Sequence, residues 1–388
     1  MTALLICASL FFALGVFASR SEKSDNADET FFVESKTVVN EKCESEIRAV
    51  WVASVFNLDY PSKSGLSEES LKKEADALVQ NAHSKGYNTI FFQVRPSSDA
   101  LYRSEIFPSS HFLCERQGDD ISLDVLEYLS ELCEEYSLSL YAWINPYRVC
   151  SASMRIDDLS DNNPARLYPG LVYECGGGYY YDPGEPRVTE LIVSGVAEIC
   201  RGYNIDGIVF DDYFYAEGIE EQDLETYLEY SDGEDLYSFR RSSVENMIEC
   251  CYREIKSISP DMNLCVSVRG IWQNIGEHPL GSNTSGSGGY SSVFCDALAL
   301  VEKEIVDYIS PQLYWSFENS VAPFATLADW WEKAVSERSD RVGLTISLAP
   351  YYLGREEINA QIEYVKKAEC YKGYALYSAS CLELLLVS

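Results

Sequence analysis

The chain has 388 residues, of which 46% are hydrophobic and 24% charged, and this apolar content excludes disorder as its dominant state. Its 62 acidic residues outnumber its 30 basic ones, which gives a formal net charge of −32 at pH 7. Because such a charge repels phosphate backbones and anionic membrane surfaces, we expect no nucleic-acid partner.

The first 46 residues differ in composition from the rest. Residues 1–18 carry an apolar run, Ala3–Ala18, which is shorter than the roughly 20 residues that cross a bilayer but fits an export signal peptide. No Lys or Arg precedes the run, so a buried or wrongly assigned start is the alternative. Residues 19–46 are polar and predict a disordered linker. We therefore expect an exported protein, extracellular or in the cell envelope, with no membrane span in the mature chain.

Residues 47–388 alternate between short apolar runs and longer segments of helical period, a pattern typical of strand–helix units with a parallel sheet. The predicted strands are Arg48–Val55, Asn88–Pro96, Leu138–Tyr147, Asp206–Phe214, Asn263–Gly270, Tyr308–Trp315, Arg341–Pro350 and Gly373–Ser380. The predicted helices are Ser67–Lys85, Leu123–Tyr136, Arg187–Arg201, Tyr237–Ser257, Val293–Glu304, Ala325–Glu337, Arg355–Cys370 and a short final one, Leu382–Val387.

Eight such units predict an α/β fold, a (β/α)8 TIM barrel with long loops after its strands. A doubly wound open sheet is the alternative, but the Gly-x-Gly-x-x-Gly turn typical of dinucleotide-binding sheets is missing after the first strand. The longest predicted loops, Ser97–Ser122, Arg148–Pro186 and Ile271–Ser292, all follow strands. Since these loops meet at one end of a barrel, they predict a broad cleft there.

Polar and aromatic residues collect at the predicted strand ends and in the loops that follow. As substrate-binding residues we predict Arg95, Asp99, Asn145, Tyr147, Arg148, Asp182, Tyr213, Tyr314, Trp315 and Tyr351. Aromatic rings stack on the apolar faces of sugars, while Asp, Asn and Arg bond to their hydroxyls, so this set favours a carbohydrate ligand. Core packing is the alternative for each single aromatic.

The predicted catalytic residues are the neighbouring carboxyls Asp211 and Asp212. Like charges a few ångströms apart are costly to bury, and they are typical of functional sites. Because side chains alternate along a strand, one should face the cleft and the other a neighbouring strand or loop, where Arg95, Arg148 or Arg269 could neutralise it. The structural alternative is an Asp–Arg ion pair beside a solvated Asp.

Carboxyls among aromatics best support cleavage of glycosidic bonds, which needs a nucleophile or base and a second carboxyl as general acid. Other chemistries lack their motifs: the chain has three His, no His-Glu-x-x-His, no zinc-type Cys/His spacing, no Gly-x-Ser-x-Gly and no phosphate loop. The sequence therefore predicts no metal and no cofactor.

The strand-end motifs, taken in order, resemble those of a family of bacterial exported proteins, glycosyl-hydrolase-like family ten. The matching stretches are Arg48–Ser54, Phe92–Pro96, Asp99–Tyr102, Ala142–Arg148, Asp182–Gly184, Asp206–Tyr215 and Ser310–Ser316. The resemblance implies a (β/α)8 barrel that acts on a glycan, with bacterial cell-wall polysaccharide or peptidoglycan strands as the associated substrates.

A second resemblance, to the fourth strand of amylase-type barrels, implies that Asp211 is the nucleophile, because Asp206-Gly207 opens the same motif. This chain departs from those barrels at Val209, where they have Arg, and in Asn263–Gly270, which contains no carboxyl. It also departs from the hydrolase-like family that it resembles, which usually reads Phe-Gly-Ile-Trp-Arg where this chain has Arg269–Gln273. The general acid therefore stays open, and its candidates are Asp212, Asp99, Asp182 and Asp59.

The expected function is that of an exported glycoside hydrolase that cleaves a bacterial glycan, with Asp211 as nucleophile or base. Two alternatives stay open. One is a carbohydrate-binding protein without turnover on the same barrel, and the other is a different reaction, such as amide cleavage or lyase chemistry.

Overall fold

The computed structural model describes residues 46–150 and 154–384. The predicted signal peptide and nearly all of the predicted linker lie outside these residues. Glu46, the last residue assigned to the linker, is already tied to the barrel, since its Oε1 accepts a 2.8 Å hydrogen bond from the Tyr371 hydroxyl.

Eight parallel strands close into a barrel, which confirms the predicted fold class and overturns the open-sheet alternative. The barrel strands, in the order in which they neighbour one another, are β1 (Ile47–Val52), β2 (Thr89–Arg95), β3 (Ser139–Ile144), β7 (Gly207–Phe210), β8 (Asn263–Val266), β9 (Tyr308–Ile309), β10 (Gly343–Leu348) and β11 (Tyr371–Leu376). All eight predicted strands are present. Every residue of β2 is buried, as expected for a parallel strand covered on both faces.

Alternation along the strands separates two apolar clusters. The smaller cluster fills the barrel and is built from Ala49, Trp51, Ala53, Phe91, Tyr141, Trp143, Val209, Cys265 and Ala375. The larger cluster, which includes Ile208 and Phe210 of β7, lies between the strands and the helices. Val209 points inward, and Asp211 and Asp212 follow directly after the end of β7, at the mouth of the barrel.

The helices cover the outside of the barrel and extend some of its loops. Their bounds are α1 (Glu68–Ser84), α2 (Val125–Glu135), α3 (Pro164–Leu167), α4 (Pro186–Gly202), α5 (Leu224–Tyr230), α6 (Leu236–Ile258), α7 (Gly289–Ser292), α8 (Ala297–Glu302), α9 (Phe324–Ser336), α10 (Pro350–Leu353) and α11 (Arg355–Val365). Short 3-10 helices span Val55–Asn57, Ile156–Asp158, Pro169–Leu171 and Ala379–Leu384. None of the helices in the described ranges has both the length and the apolar character needed to span a bilayer.

Three predicted helices differ clearly from those observed, and one of them, Arg355–Cys370, ends five residues early at Val365. The predicted helix Val293–Glu304 starts four residues late, because Phe294 adopts a φ of 55° and Asp296 then caps α8 by accepting a hydrogen bond from the Ala299 N–H. The final turn is a 3-10 helix, Ala379–Leu384, in place of the start of the predicted helix Leu382–Val387, whose last residues lie outside the described range.

The long loop after β3 contains a small antiparallel sheet that the strand pattern did not predict. Its strands are β4 (Arg148–Cys150), β5 (Val172–Cys175) and β6 (Gly178–Tyr181), with β6 in the middle. The β5–β6 hairpin turns on Gly176 and Gly177, whose φ values of 58° and 79° fit a two-residue type I′ turn. Because it follows a barrel strand, this sheet adds to the face that carries the site.

Candidate active site

A groove with a volume of about 220 Å³ opens among the loops that follow the barrel strands. Its lining residues come from seven of the eight strand ends or their loops and are Trp51, Trp143, Asp211, Asp212, Tyr213, Ser267, Gln312, Tyr314, Tyr351 and Tyr377. Six of these ten side chains are aromatic, and two are carboxyls. The arrangement provides flat apolar surfaces around a pair of acidic groups.

Asp211 lies at the bottom of the groove, only 3% exposed. Its Oδ2 accepts hydrogen bonds from Trp143 Nε1 at 3.0 Å and Asn145 Nδ2 at 2.7 Å, and its Oδ1 accepts one from the Tyr213 N–H at 3.3 Å. Burial raises the pKa of the Asp211 carboxyl to about 7, and the charge of Asp212 acts in the same direction, while Arg148 and the Trp143 hydrogen bond oppose the rise. Asp211 can therefore gain or lose a proton near neutral pH.

Asp212 has different surroundings, although it is the next residue. Its Oδ2 lies 3.4 Å from Arg269 Nε, and its Oδ1 accepts a 3.0 Å hydrogen bond from Gln312 Nε2. Asp212 thus has a cationic partner, whereas the hydrogen-bond partners of Asp211 are all neutral. The structural alternative was an Asp–Arg ion pair beside a solvated Asp. The Asp212–Arg269 ion pair is present, but Asp211 is buried and not solvated.

Aromatic side chains of the predicted set lie at the rim. Tyr213 is 45% exposed, and the Arg148 guanidinium stacks 4.2 Å from its ring centroid. Tyr351 is 58% exposed, and Tyr314 is half-buried on the same lining. Together they bring three predicted sugar-binding rings, with Arg148 beside them, to the groove that holds Asp211 and Asp212.

Four predicted substrate-binding residues are buried and do not line the groove. Arg95 has its guanidinium 3.9 Å from the Phe107 ring centroid, and it points away from the barrel interior against Gly195 of α4. The cause is a bulge between Gln93 and Arg95, which breaks the alternation of β2. A side chain enclosed in this way cannot contact a sugar, so the expectation for Arg95 is corrected.

The same correction applies to Asp99, Tyr147 and Asp182, which all have buried side chains. Asp99 Oδ2 bonds to His111 Nδ1 and Gln117 Nε2, and Tyr147 is fully buried in the larger apolar cluster. Asp182 accepts hydrogen bonds from Thr226 Oγ1 at 2.6 Å and the Gly184 N–H at 2.9 Å. These contacts fix loops, and they remove Asp99 and Asp182 as candidates for the general acid.

Two further predicted substrate-binding residues do not line the groove either. The buried Asn145 bonds to Asp211, and Trp315 packs against the outer apolar cluster. The last candidate acid, Asp59, accepts hydrogen bonds from the Ala53 N–H, Ser378 Oγ and the Ser380 N–H, which join the loops after β1 and β11. Among the described residues that line the groove, Asp211 and Asp212 are therefore the only carboxyls.

Several groove residues were not selected from the sequence, among them Trp51, Ser267, Gln312 and Tyr377. Gln312 and Tyr377 could have been selected by their position, because each lies near the carboxyl end of a predicted strand, as the other site residues do. Trp51 and Ser267 had none, because an inward Trp or Ser in a strand is equally typical of the core.

The sequence of the chain is similar to a family model and to named glycosyl hydrolases. The model of the family described as "Glycosyl hydrolase-like 10" matches residues 46–366. The glycosyl hydrolase YngK of Bacillus subtilis is 34% identical over 364 residues, which is 90% of this chain and 71% of YngK. The glycosyl hydrolase DigH of Escherichia coli K12 is 33% identical over 326 residues, or 79% of this chain and 74% of DigH.

Solved structures share the fold at low identity. The glycoside hydrolase domain of PgaB (BpsB) from Bordetella bronchiseptica superposes with a TM-score of 0.60 at 12% identity, covering 89% of this chain and all of that domain. An endo-β-1,4-mannanase from Thermotoga petrophila gives 0.53 at 14% identity, covering 86% of this chain and 68% of the mannanase. At these identities the two likenesses show the fold alone.

Proposed function

Because this chain belongs to the glycosyl hydrolase-like 10 family, we propose that it is an exported enzyme that hydrolyses glycosidic bonds in a bacterial cell-wall glycan, with peptidoglycan-derived strands as the leading substrate. The observation that carries the proposal is the buried Asp211, whose pKa is raised to about 7, next to the ion-paired Asp212 in an aromatic groove. Enzymes commonly use two carboxyls in different environments, one as the acid and the other as a base or an anion.

The surroundings of the two carboxyls favour a division of roles that differs from the expectation from sequence. Asp211, which is desolvated, is suited to hold a proton at neutral pH and to donate it to the glycosidic oxygen. Asp212, which forms an ion pair with Arg269, is suited to stabilise positive charge on the substrate. We therefore propose Asp211 as the general acid, where the sequence predicted a nucleophile or base.

The lining of the groove bears on which group acts as the nucleophile. Both hydrolytic geometries with two carboxyls place them on opposite sides of the bond, at about 5–5.5 Å in retaining and about 6.5–9.5 Å in inverting enzymes. Among the described groove residues the carboxyls come from the end of β7 alone. We propose that the substrate supplies the nucleophile, through the 2-acetamido group that peptidoglycan sugars carry.

The proposed reaction has two steps. In the first, the acetamido carbonyl oxygen bonds to C1, the bond from C1 to the leaving oxygen breaks, and Asp211 donates its proton to that oxygen. Asp212 stabilises the positive charge that forms on the acetamido group. In the second, water attacks C1, the bond from C1 to the acetamido oxygen breaks, and Asp211 takes up the proton released by the water.

A panel of N-acetylated glycans and their de-N-acetylated counterparts tests this proposal. We expect cleavage of denuded peptidoglycan strands or chitooligosaccharides, read by mass spectrometry of soluble products. Removal of the acetyl groups should slow cleavage by at least about 10²-fold, because the internal nucleophile is lost. Equal cleavage of both forms would refute the role of the acetamido group.

A carbohydrate-binding protein without turnover is the second candidate function. It is favoured by the same observation, that one strand end supplies both groove carboxyls. Retention of glycan strands by the purified protein, with no product from any member of the panel, would decide for it.

The pH dependence of cleavage provides a separate prediction. An acid with a pKa of about 7 is protonated below that pH, so we expect kcat/KM to fall above about pH 7, by tenfold per pH unit. Measurement of kcat/KM between pH 5 and 9 shows whether this fall occurs. A rate that stays constant up to pH 9 would contradict the assignment of Asp211 as the acid.

Export is part of the proposal and is supported by the apolar run Ala3–Ala18. We expect the extracellular or envelope fraction to contain a chain that lacks residues 1–18, as measured by intact mass. Recovery of the full-length chain from the cytoplasm alone would oppose it.

A further inference from the structure

A buried chain of hydrogen bonds connects the loop after β1 to Asp211. The Ser54 and Val55 N–H groups donate to Gln93 Oε1 at 3.0 and 2.9 Å. Gln93 Nε2 donates to Asn145 Oδ1 at 2.7 Å, and Asn145 Nδ2 donates to Asp211 Oδ2 at 2.7 Å. Gln93 and Asn145 are each 1% exposed, so water does not compete for these bonds.

The backbone N–H groups of Ser54 and Val55 fix which atom donates and which accepts in each of these hydrogen bonds. A backbone N–H can only donate, so the atom of Gln93 that faces Ser54 and Val55 must be its oxygen. The amide nitrogen of Gln93 then faces Asn145, which must present its own oxygen in return. The Asn145 nitrogen is left to face Asp211, and neither amide can be turned without breaking a buried hydrogen bond.

This order of donors and acceptors distinguishes the two oxygens of Asp211. Oδ2 receives two donors, Asn145 Nδ2 and Trp143 Nε1, and an indole N–H is also a donor only. A proton on Oδ2 would lie close to the N–H groups of both donors, which is unfavourable. Oδ1 receives a single long bond, from the Tyr213 N–H at 3.3 Å.

We propose that Gln93 is a positioning residue which, through Asn145, holds Oδ2 of Asp211 as a hydrogen-bond acceptor and leaves Oδ1 as the oxygen that holds and transfers the proton. The inference rests on the proposed function, in which Asp211 is the general acid. It assigns a role to a residue that does not line the groove and that the sequence did not single out.

The other groups that act on Asp211 come from elements that do not involve the Gln93 side chain. Asp212 and Tyr213 follow Asp211 itself, Arg148 lies in β4, and Tyr377 follows β11. Arg269, after β8, acts through its ion pair with Asp212. A change confined to the Gln93 amide therefore alters the titration of Asp211 without removing any of these charges.

The test is the replacement Gln93→Glu. The new carboxylate can still accept from Ser54 and Val55, but its second oxygen needs a donor from Asn145. The Asn145 amide then turns and presents its oxygen to Asp211, which favours protonated Asp211. We expect the titration midpoint of Asp211 to rise by about one pH unit.

The readout is the indole N–H signal of Trp143 in protein labelled with ¹⁵N-tryptophan, followed against pH. The chain has six tryptophans, and the Trp143→Phe variant identifies the signal. No substrate is needed, so the outcome does not depend on whether the glycan has been correctly chosen. In the enzyme assay, the alkaline limb of kcat/KM should shift by the same amount.

Gln361→Glu is the matched control. Gln361 is also fully buried, but its Nε2 donates to the Trp315 carbonyl oxygen at 2.9 Å, on the outside of the barrel. The Trp143 signal should titrate there as in the native protein. Because the charge added in Gln93→Glu raises the pKa of Asp211 by itself, the second variant is Gln93→Met, which removes the same donor to Asn145 without adding a charge, and the midpoint should again rise. An unchanged Trp143 midpoint in a folded Gln93 variant would overturn the proposal, whereas a shifted midpoint without glycan cleavage would refute only the proposed function.

Discussion

Replacement of Asp211 by Asn is expected to lower kcat by about 10³-fold, the usual contribution of a positioned general acid. Asn has nearly the same shape and can keep its oxygen toward Trp143 and Asn145, so the groove should persist. It cannot donate a proton to a leaving oxygen as an acid does. Initial rates on the best substrate of the panel, with thermal unfolding to verify the fold, measure the effect.

Asp182→Asn is the matched control for this prediction. Asp182 is also a buried Asp after a strand of the same barrel face, and burial raises its pKa to about 6. It bonds to Thr226 and Gly184 and does not line the groove. Activity per folded molecule should be unchanged in Asp182→Asn. Full activity in Asp211→Asn, or an equal loss in both variants, would remove the assignment.

The replacement Arg240→Met is expected to lower the free energy of unfolding by about 3–5 kcal/mol, the cost of leaving one charge of a buried pair without its partner. Arg240 and Asp223 are both almost completely buried, and Arg240 Nε and Nη2 lie 2.8 and 2.6 Å from the two Asp223 oxygens. Arg240 Nη2 also donates to the Glu220 carbonyl oxygen. Chemical denaturation of the native protein and the variant gives the difference.

Two controls separate the buried charge from lost packing. The double replacement Arg240→Met with Asp223→Leu removes both charges and should recover most of the stability. Arg341→Met breaks the exposed pair with Glu304 and should cost no more than about 1 kcal/mol. If Arg240→Met costs as little as Arg341→Met, the buried pair does not stabilise the fold as expected.

The buried pair also has a consequence for the site. Arg240 of α6 holds Glu220 and Asp223, which lie in the segment that begins with Asp211 and Asp212 at the end of β7. Loss of the pair should therefore release this segment before the barrel itself unfolds. Limited proteolysis at the acidic residues 217–235 would show that order.

The sequence by itself determined the barrel and the row of side chains at its active end. Alternating apolar runs and helical periods are local properties, so all eight strands could be located without knowing their neighbours. Local alternation also predicted that Asp211 and Asp212 have different surroundings, with Arg269 among the possible partners of one of them, but not that both line the groove. The same local order brought Tyr213, Tyr314 and Tyr351 to one face.

Only the tertiary structure decided which of these residues share the groove. The bulge in β2 turns Arg95 outward, and Tyr147 is buried in the larger apolar cluster, because contacts between distant segments set both features. Asp211 is desolvated and held by Trp143 and Asn145, which lie more than sixty residues before it in the chain. Burial and hydrogen bonds from distant segments set the pKa of a carboxyl, and no pattern within one segment contains that information.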